Sequence, residues 1–261
     1  MPIDCGAELK KLSQAEFATV SYDVMAEIFA LHNELGLLFD EKVYKNALQS
    51  RMSNLQTEVE IKVSFRDFQK SYFMDVLASS GAVFELKTVD ALHHRHRSQL
   101  LNYLLLTEMQ HGKLVNLRDE QVEHEFVNAT LTHVDRIRYD TNDAAWHSAK
   151  GFGAAEKSLV LEMLNDWGTG LERSLYEEAL IHFFGGEKHV VQNVDVILGG
   201  EYVSKQSTLL CAPHTAFKVT TFENNVNLYR NNLSQFLTNT SLKTIQWVNI
   251  SRNHISFETI T

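Results

Sequence analysis

Apolar residues at Phe17, Val20, Val24, Ile28, Leu31 and Leu35 recur at steps of three and four, the stripe of a long amphipathic helix. Gly36 follows the last of them, where a helix C-cap glycine sits. Asp40 stands as N-cap to a second helix carrying Val43, Tyr44, Ala47 and Leu48. The period then changes to two. Val59, Ile61 and Val63 alternate with Glu60 and Lys62, and two β-rich runs, Tyr72–Leu77 and Ala82–Val89, flank a Ser79-Ser80-Gly81 turn. A helix from about His94 to Thr107, with Leu100, Leu101, Leu104 and Leu105 apolar, and a strand over Lys113–Leu117 complete the series. Grouped strands followed by a helix and one more strand predict a mixed α/β layer rather than a doubly wound parallel sheet.

The series occurs twice. Asn33-Glu34-Leu35-Gly36 with Tyr44, Ala47 and Leu48 returns as Asn165-Asp166-Trp167-Gly168 with Tyr176, Ala179 and Leu180, 132 positions later. Val83-Phe84-Glu85-Leu86-Lys87-Thr88 aligns with Ala216-Phe217-Lys218-Val219-Thr220-Thr221, Tyr103-Leu104 with Phe236-Leu237, and Val115-Asn116 with Val248-Asn249, now at 133. One inserted residue reconciles the blocks, and a period this long is domain-sized rather than solenoidal. The expectation is a tandem duplication: a first domain over 1–128, a linker over 129–140 and a second copy over 141–261. The joint around His133–Ser148 is polar and charged apart from Trp146.

Composition narrows the class. Over 261 residues, 44% are hydrophobic and 22% charged, which excludes a disordered tail or a collagen-like chain. No run approaches the roughly 18–20 apolar residues of a spanning helix, so no membrane partner is expected. Met1-Pro2-Ile3-Asp4-Cys5, with Lys10 and Lys11 following, has no apolar signal core. Two cysteines, Cys5 and Cys211, are too few for a disulfide scaffold, a four-cysteine zinc site or an iron–sulfur cluster, and a cytoplasmic setting is expected. A net charge of −9 argues against coating nucleic acid non-specifically, while leaving room for carboxylates that hold a metal.

The candidate chemistry lies in the first copy. Glu85 and Lys87 are two apart on one strand and share a face; Asp75, on the preceding strand, reaches that face if the two strands pair. Carboxylate oxygens suit Mg²⁺ or Mn²⁺, which polarises a phosphodiester and acidifies water, while an adjacent lysine orients that water. Glu41 offers a third carboxylate; Gln99 and Tyr103, four apart, share a helix face and would order the site or touch a nucleic-acid backbone. Taken singly, each has a plainer reading: a solvated strand edge for Glu-x-Lys, a dipole-complementing acid for Glu41, helix packing for Gln99 and Tyr103. Asp75, between Met74 and Val76, is costly to bury without a partner. His93-His94-Arg95-His96-Arg97 reads either as a solvated helix start or as a nucleic-acid contact that clamps phosphate.

With these residues in order, the first copy resembles the GxxExxY family, a branch of the PD-(D/E)XK nuclease superfamily. The likeness runs over about residues 15–120, through His32-Asn33-Glu34-Leu35-Gly36, Glu41-Lys42-Val43-Tyr44-Lys45-Asn46-Ala47-Leu48, Phe73-Met74-Asp75-Val76, Phe84-Glu85-Leu86-Lys87 and Gln99-Leu100-Leu101-Asn102-Tyr103-Leu104. One departure is Leu38, where the family has its naming glycine. The resemblance implies two tandem restriction-endonuclease-like α/β domains, each a mixed sheet flanked by helices. It also implies catalytic Glu41, Asp75, Glu85, Lys87, Gln99 and Tyr103, with Asp75, Glu85 and Glu41 as ligands of Mg²⁺ or Mn²⁺. Gln99 and Tyr103 match the Gln-x-x-x-Tyr element shared with RecB-type nucleases. In the second copy Arg173 stands for Glu41, Ser207 or Thr208 for Asp75, Lys218 and Thr220 for Glu85 and Lys87, Asn232 for Gln99 and Phe236 for Tyr103. The expectation is a nuclease with one live site, cutting single strands or ends of DNA, with RNA second, beside an inactive copy packed on it as a pseudo-dimer. The rival expectation is a catalytically silent nucleic-acid-binding or assembly module.

Overall fold

A computed structural model describes residues 3–261, and its backbone clusters into two compact units. The first comprises residues up to Ser64 together with Gln69–His133; the second comprises Phe65–Phe68 and Val134–Thr261. Each is a six-stranded mixed sheet flanked by helices.

The first unit contains β1 (Ile3–Cys5), α1 (Gln14–Leu35), α2 (Glu41–Arg51), β2 (Leu55–Phe65), β3 (Phe68–Ala78), β4 (Ala82–Lys87), α3 (His94–Thr107), β5 (His111–Asn116) and β6 (Glu123–Asn128). Helix α1 begins before its apolar stripe because Ser13 and Glu16 form a reciprocal capping box: Ser13 Oγ accepts from Glu16 N, and the Glu16 carboxylate accepts from Ser13 N. The sheet order is β1-β2-β3-β4-β5-β6. β3 and β4 form a tight antiparallel hairpin, and α3 crosses over to lay β5 parallel to β4. Ser79 and Ser80, rather than Gly81, take the positive φ of that hairpin. Gly81 is needed for space, since a Cβ there would lie 2.5 Å from both Lys10 O and Leu12 Cγ. Phe17, Val24, Ile28 and Leu31 of α1 and Tyr44 and Leu48 of α2 pack on Val76, Phe84, Leu86 and Val115. Two strands carry no readable pattern in the sequence: β1 is three residues long, and β6, Glu-His-Glu-Phe-Val-Asn, is an exposed edge strand.

The main segment of the second unit opens with α4 (His133–Arg136), a helical turn within the stretch expected as a linker, where Arg136 is buried and donates to Thr169 O. It contains β7 (Asp140–Ala145), α5 (Ala154–Trp167), α6 (Arg173–Phe183), α7 (Glu187–Val190), β8 (Val191–Leu198), β9 (Glu201–Ala212), β10 (Thr215–Thr220), α8 (Val226–Thr238), β11 (Thr244–Ile250) and β12 (His254–Ile260). Its sheet runs β8-β9-β10-β11-β12-β7, with the same antiparallel hairpin and the same parallel helix crossover as the first. The two sheets differ at their edges. β1 extends the first beside β2, whereas β7 extends the second beside β12, in parallel.

Side-chain bonds recur with the sequence offset. Tyr44 donates to Gly36 O and Tyr176 to Gly168 O, both glycines having positive φ. Asn116 accepts from Val89 N and donates to Val89 O; Asn249 does the same with Phe222. Arg97 forks onto Glu125, and Arg230 onto Glu258.

Candidate active site

The site of the first unit is built on the β3–β4 hairpin and the start of α2. The last recorded pair of the ladder is Val76 with Phe84. One step further, the Asp75 carboxylate replaces backbone pairing: Oδ2 accepts from Leu86 N at 2.9 Å, and Oδ1 accepts from Lys45 Nζ at 2.8 Å. Alternation along β4 then places Glu85 and Lys87 side by side, Lys87 Nζ to Glu85 Oε1 at 2.5 Å. Lys87 Nζ also lies 3.9 Å from both Asp75 Oδ2 and Glu41 Oε2. Glu41 opens α2, and one turn later Lys45 reaches back to Asp75 and to Glu58. The structure therefore brings Glu41, Asp75, Glu85 and Lys87 together.

The charges are strongly perturbed. Glu85 is fully buried; burial pushes its carboxyl up to about 8, with Asp75 adding to the push and Lys87 opposing it. Its Oε2 is buried and has no hydrogen-bond partner. Burial also raises Glu41, against the pull of Lys87. Lys87 is raised: burial, which by itself lowers an amine, is outweighed by Glu85, Asp75 and Glu41. Lys45 is raised in the same way by Asp75 and Glu58.

An orphaned, buried carboxylate oxygen beside two further acids is a hard-oxygen donor set of the kind that suits a divalent cation. Among the described residues no three or more His, Cys, Asp or Glu are already gathered about one point. The amines of Lys45 and Lys87 stand among the acids instead.

Gln99 and Tyr103 bond to each other, Gln99 Nε2 to Tyr103 Oη at 2.8 Å, on α3. The His93–Arg97 run is largely engaged locally. His93 and His96 cap α3 reciprocally and stack with centroids 3.7 Å apart. The pKa of His96 is lowered by burial, by His93 and by Lys87. Arg97 is held by Glu125, whereas His94 and Arg95 are exposed. Sequence reasoning missed Lys45 and Glu58. The available signal was Lys45 itself, one turn from Glu41 on the same helix face and beside the apolar Tyr44 and Leu48. Glu58 adopts a positive φ of 53° within β2, which no local pattern announces.

In the second unit the hairpin register, Ala216 opposite Leu210 as Val83 is opposite Leu77, puts Thr208 at the place of Asp75. The signs of the cluster are inverted. Arg173 pairs with Glu177 where Glu41 and Lys45 stand in the first unit, and Lys218 replaces Glu85. Lys218 lies over the Phe236 ring, its pKa lowered by burial. Thr220 is tied to Asn249 and to Trp247 Nε1.

A mixed α/β unit with Asp, Glu and Lys converging from a hairpin is a candidate phosphodiester-cleaving centre. Residues 18–128, the span that carries this site, match the family model of the PD-(D/E)XK nuclease superfamily. No curated protein matches the chain in sequence. Among solved structures, the crystal structure of SSO0001 is 19% identical over 45% of this chain, with a TM-score of 0.30. The chain spans 62% of that chain's length.

Proposed function

We propose that the first unit is a metal-dependent nuclease hydrolysing phosphodiester bonds of DNA, of the GxxExxY branch, and that the second is a duplicated copy that has lost catalysis. One observation carries the reading: Glu85 Oε2 is buried without a partner while Asp75, Glu41 and Lys87 surround the same carboxyl. Glu85, Asp75 and Glu41 are the residues that would hold Mg²⁺ or Mn²⁺. When bound, such an ion supplies Lewis-acid polarisation of the phosphoryl oxygens and acidification of water.

The chain's own groups do the rest. Asp75 is locked by Leu86 N and Lys45, so its carboxylate is oriented before substrate arrives. Lys87 is held as an ammonium by three acids, and donates a hydrogen bond to the attacking water or to the phosphate oxygen where charge develops. Water attacks phosphorus, its proton passes to solvent or a carboxylate, and the sugar oxygen leaves with the pair of electrons of the broken P–O bond. With one acid-bearing unit per chain, the product is a single-strand nick or a trimmed end.

The test is nicking of supercoiled DNA in Mn²⁺ by wild type and Lys87→Ala. The substitution lowers the rate on the order of 10²–10³-fold. Full activity in the variant removes the assignment. A second reading, a silent binding module, is favoured by the amines of Lys45 and Lys87 standing among the acids. Mn²⁺ binding by calorimetry separates the two. Binding lost in Asp75→Ala with the fold intact supports the enzyme, and no binding by wild type supports the module.

A further inference from the structure

Strand β6 and its counterpart β12 occupy the same place in their sheets but have opposite surroundings. β12 is almost wholly buried, whereas His124 and Phe126 of β6 are exposed. In the second unit β7 pairs in parallel with the outer edge of β12, and the chain then turns back across the sheet face. Trp146 packs on Phe257, the register counterpart of His124, with centroids 5.5 Å apart, and on Phe152. Gln246 holds this strap by its backbone, donating to His147 O at 2.8 Å and to Phe152 O at 3.3 Å.

The first unit has the seat without the strap. β6 is the last strand of its sheet, so its outer edge is unpaired there. Between it and α1 lies an open groove of about 430 Å³, lined among others by Tyr22, Met25, Phe29 and Phe126, with Lys113 and His124. Tyr22 and Phe126 are more than half exposed, although large aromatic side chains are otherwise favoured in cores. Lys113 sits where Gln246 sits in the second unit, opposite Phe126 as Gln246 is opposite Thr259. It is 94% buried, and among the described residues its amine meets Ser21 Oγ at 3.5 Å and the Phe126 ring at 4.5 Å, with no carboxylate in an ion pair. A buried ammonium without an anion is costly, and an incoming carboxylate would relieve it through a charge-assisted hydrogen bond.

We propose that the groove between α1 and β6 receives an extended peptide segment of a partner protein. It adds in parallel to the β6 edge, lays an aromatic side chain against His124 and Phe29, and sets a carboxylate on the Lys113 amine. The mode is strand addition with an anchored carboxylate, and the second unit supplies the same occupant from its own chain. The difference between the seats specifies the ligand. The neutral amide of Gln246 takes backbone carbonyls, whereas the cation at Lys113 selects an acid.

The test uses a fluorescein-labelled octapeptide copying residues 140–147, which ends at the carbonyl that Gln246 holds. It is made with a free C-terminal carboxylate and, separately, with a C-terminal amide. Anisotropy is followed on titration with the full chain. Wild type is expected to bind the acid form at least about tenfold more tightly than the amide. Lys113→Gln, which copies the second seat, abolishes the preference by weakening the acid form. Phe126→Glu, at an exposed position, removes binding of both forms, and circular dichroism verifies the fold of each variant. The proposal is overturned if neither peptide binds wild type, or if both bind equally and ignore Lys113→Gln. It is also overturned if a labelled single-stranded oligonucleotide, and not the peptides, loses binding in these variants.

Discussion

The two units share a scaffold and differ in what it is used for. Both place a hairpin against a parallel crossover strand, and both tie a tyrosine to a helix-ending glycine and an asparagine of the crossover strand to the loop that leaves the hairpin. Where the first unit gathers three carboxylates around Lys87, the second has Arg173, Glu177, Lys218 and Thr220, with Thr208 at the aspartate's place. The lesson is one of tolerance. Framework bonds are satisfied by backbone groups present in both units, so they persist whatever stands at the site. A cluster of buried like charges, by contrast, survives only while something rewards its electrostatic cost.

The comparison is broken most directly by moving the site test to the second unit. Lys218→Ala should leave Mn²⁺-dependent nicking unchanged while Lys87→Ala lowers it on the order of 10²–10³-fold; equal losses would mean that both units take part. Next comes pH. The folded chain holds a proton on Glu85 up to about pH 8, whereas an ordinary glutamate releases its proton near 4.5. The folded state therefore binds more protons across that window, and this contribution to stability is full below it and lost as pH rises through about 8. Thermal unfolding in EDTA should show Tm falling between about pH 6 and pH 9, with the slope flattened in Glu85→Gln. An unchanged slope would place Glu85 in water. The framework is sharpened by Tyr44→Phe and Tyr176→Phe, each expected to cost about 1–2 kcal/mol in denaturant melts because the helix-ending glycine carbonyl loses the hydroxyl of a buried tyrosine. Clearly unequal losses would separate the two units. The smallest effect is expected at Arg97: because Glu125 holds it, Arg97→Ala should change nicking by less than about twofold. A larger loss would return it to the nucleic-acid contacts proposed from the sequence.

The long elements were legible because their faces are buried: the α1 stripe, the alternation of β2 and the leucines of α3 each record a face turned to the core. Edge strands were not. β6 and β7 are polar and exposed, and their identity as strands comes from the neighbour they pair with. Glu41, Asp75 and Glu85 were readable as an ordered set of residue types, although Glu58 was not, and Glu85 beside Lys87 follows from alternation alone. The clamp of Asp75 by Lys45 and by Leu86 N was not readable, since it depends on a ladder ending one residue early and on a helix docking thirty positions away in sequence.

By itself, then, the amino-acid order determined periodicity, the recurrence of short blocks at a fixed offset and the inventory of reactive groups, because those are local or additive properties. Tertiary structure alone decided which charges are desolvated together, which cations are already spoken for, and that Lys113 lies buried with no anion beside it among the described residues. Those depend on distances between segments far apart in the chain, and electrostatic energy is set by distance and burial, not by order.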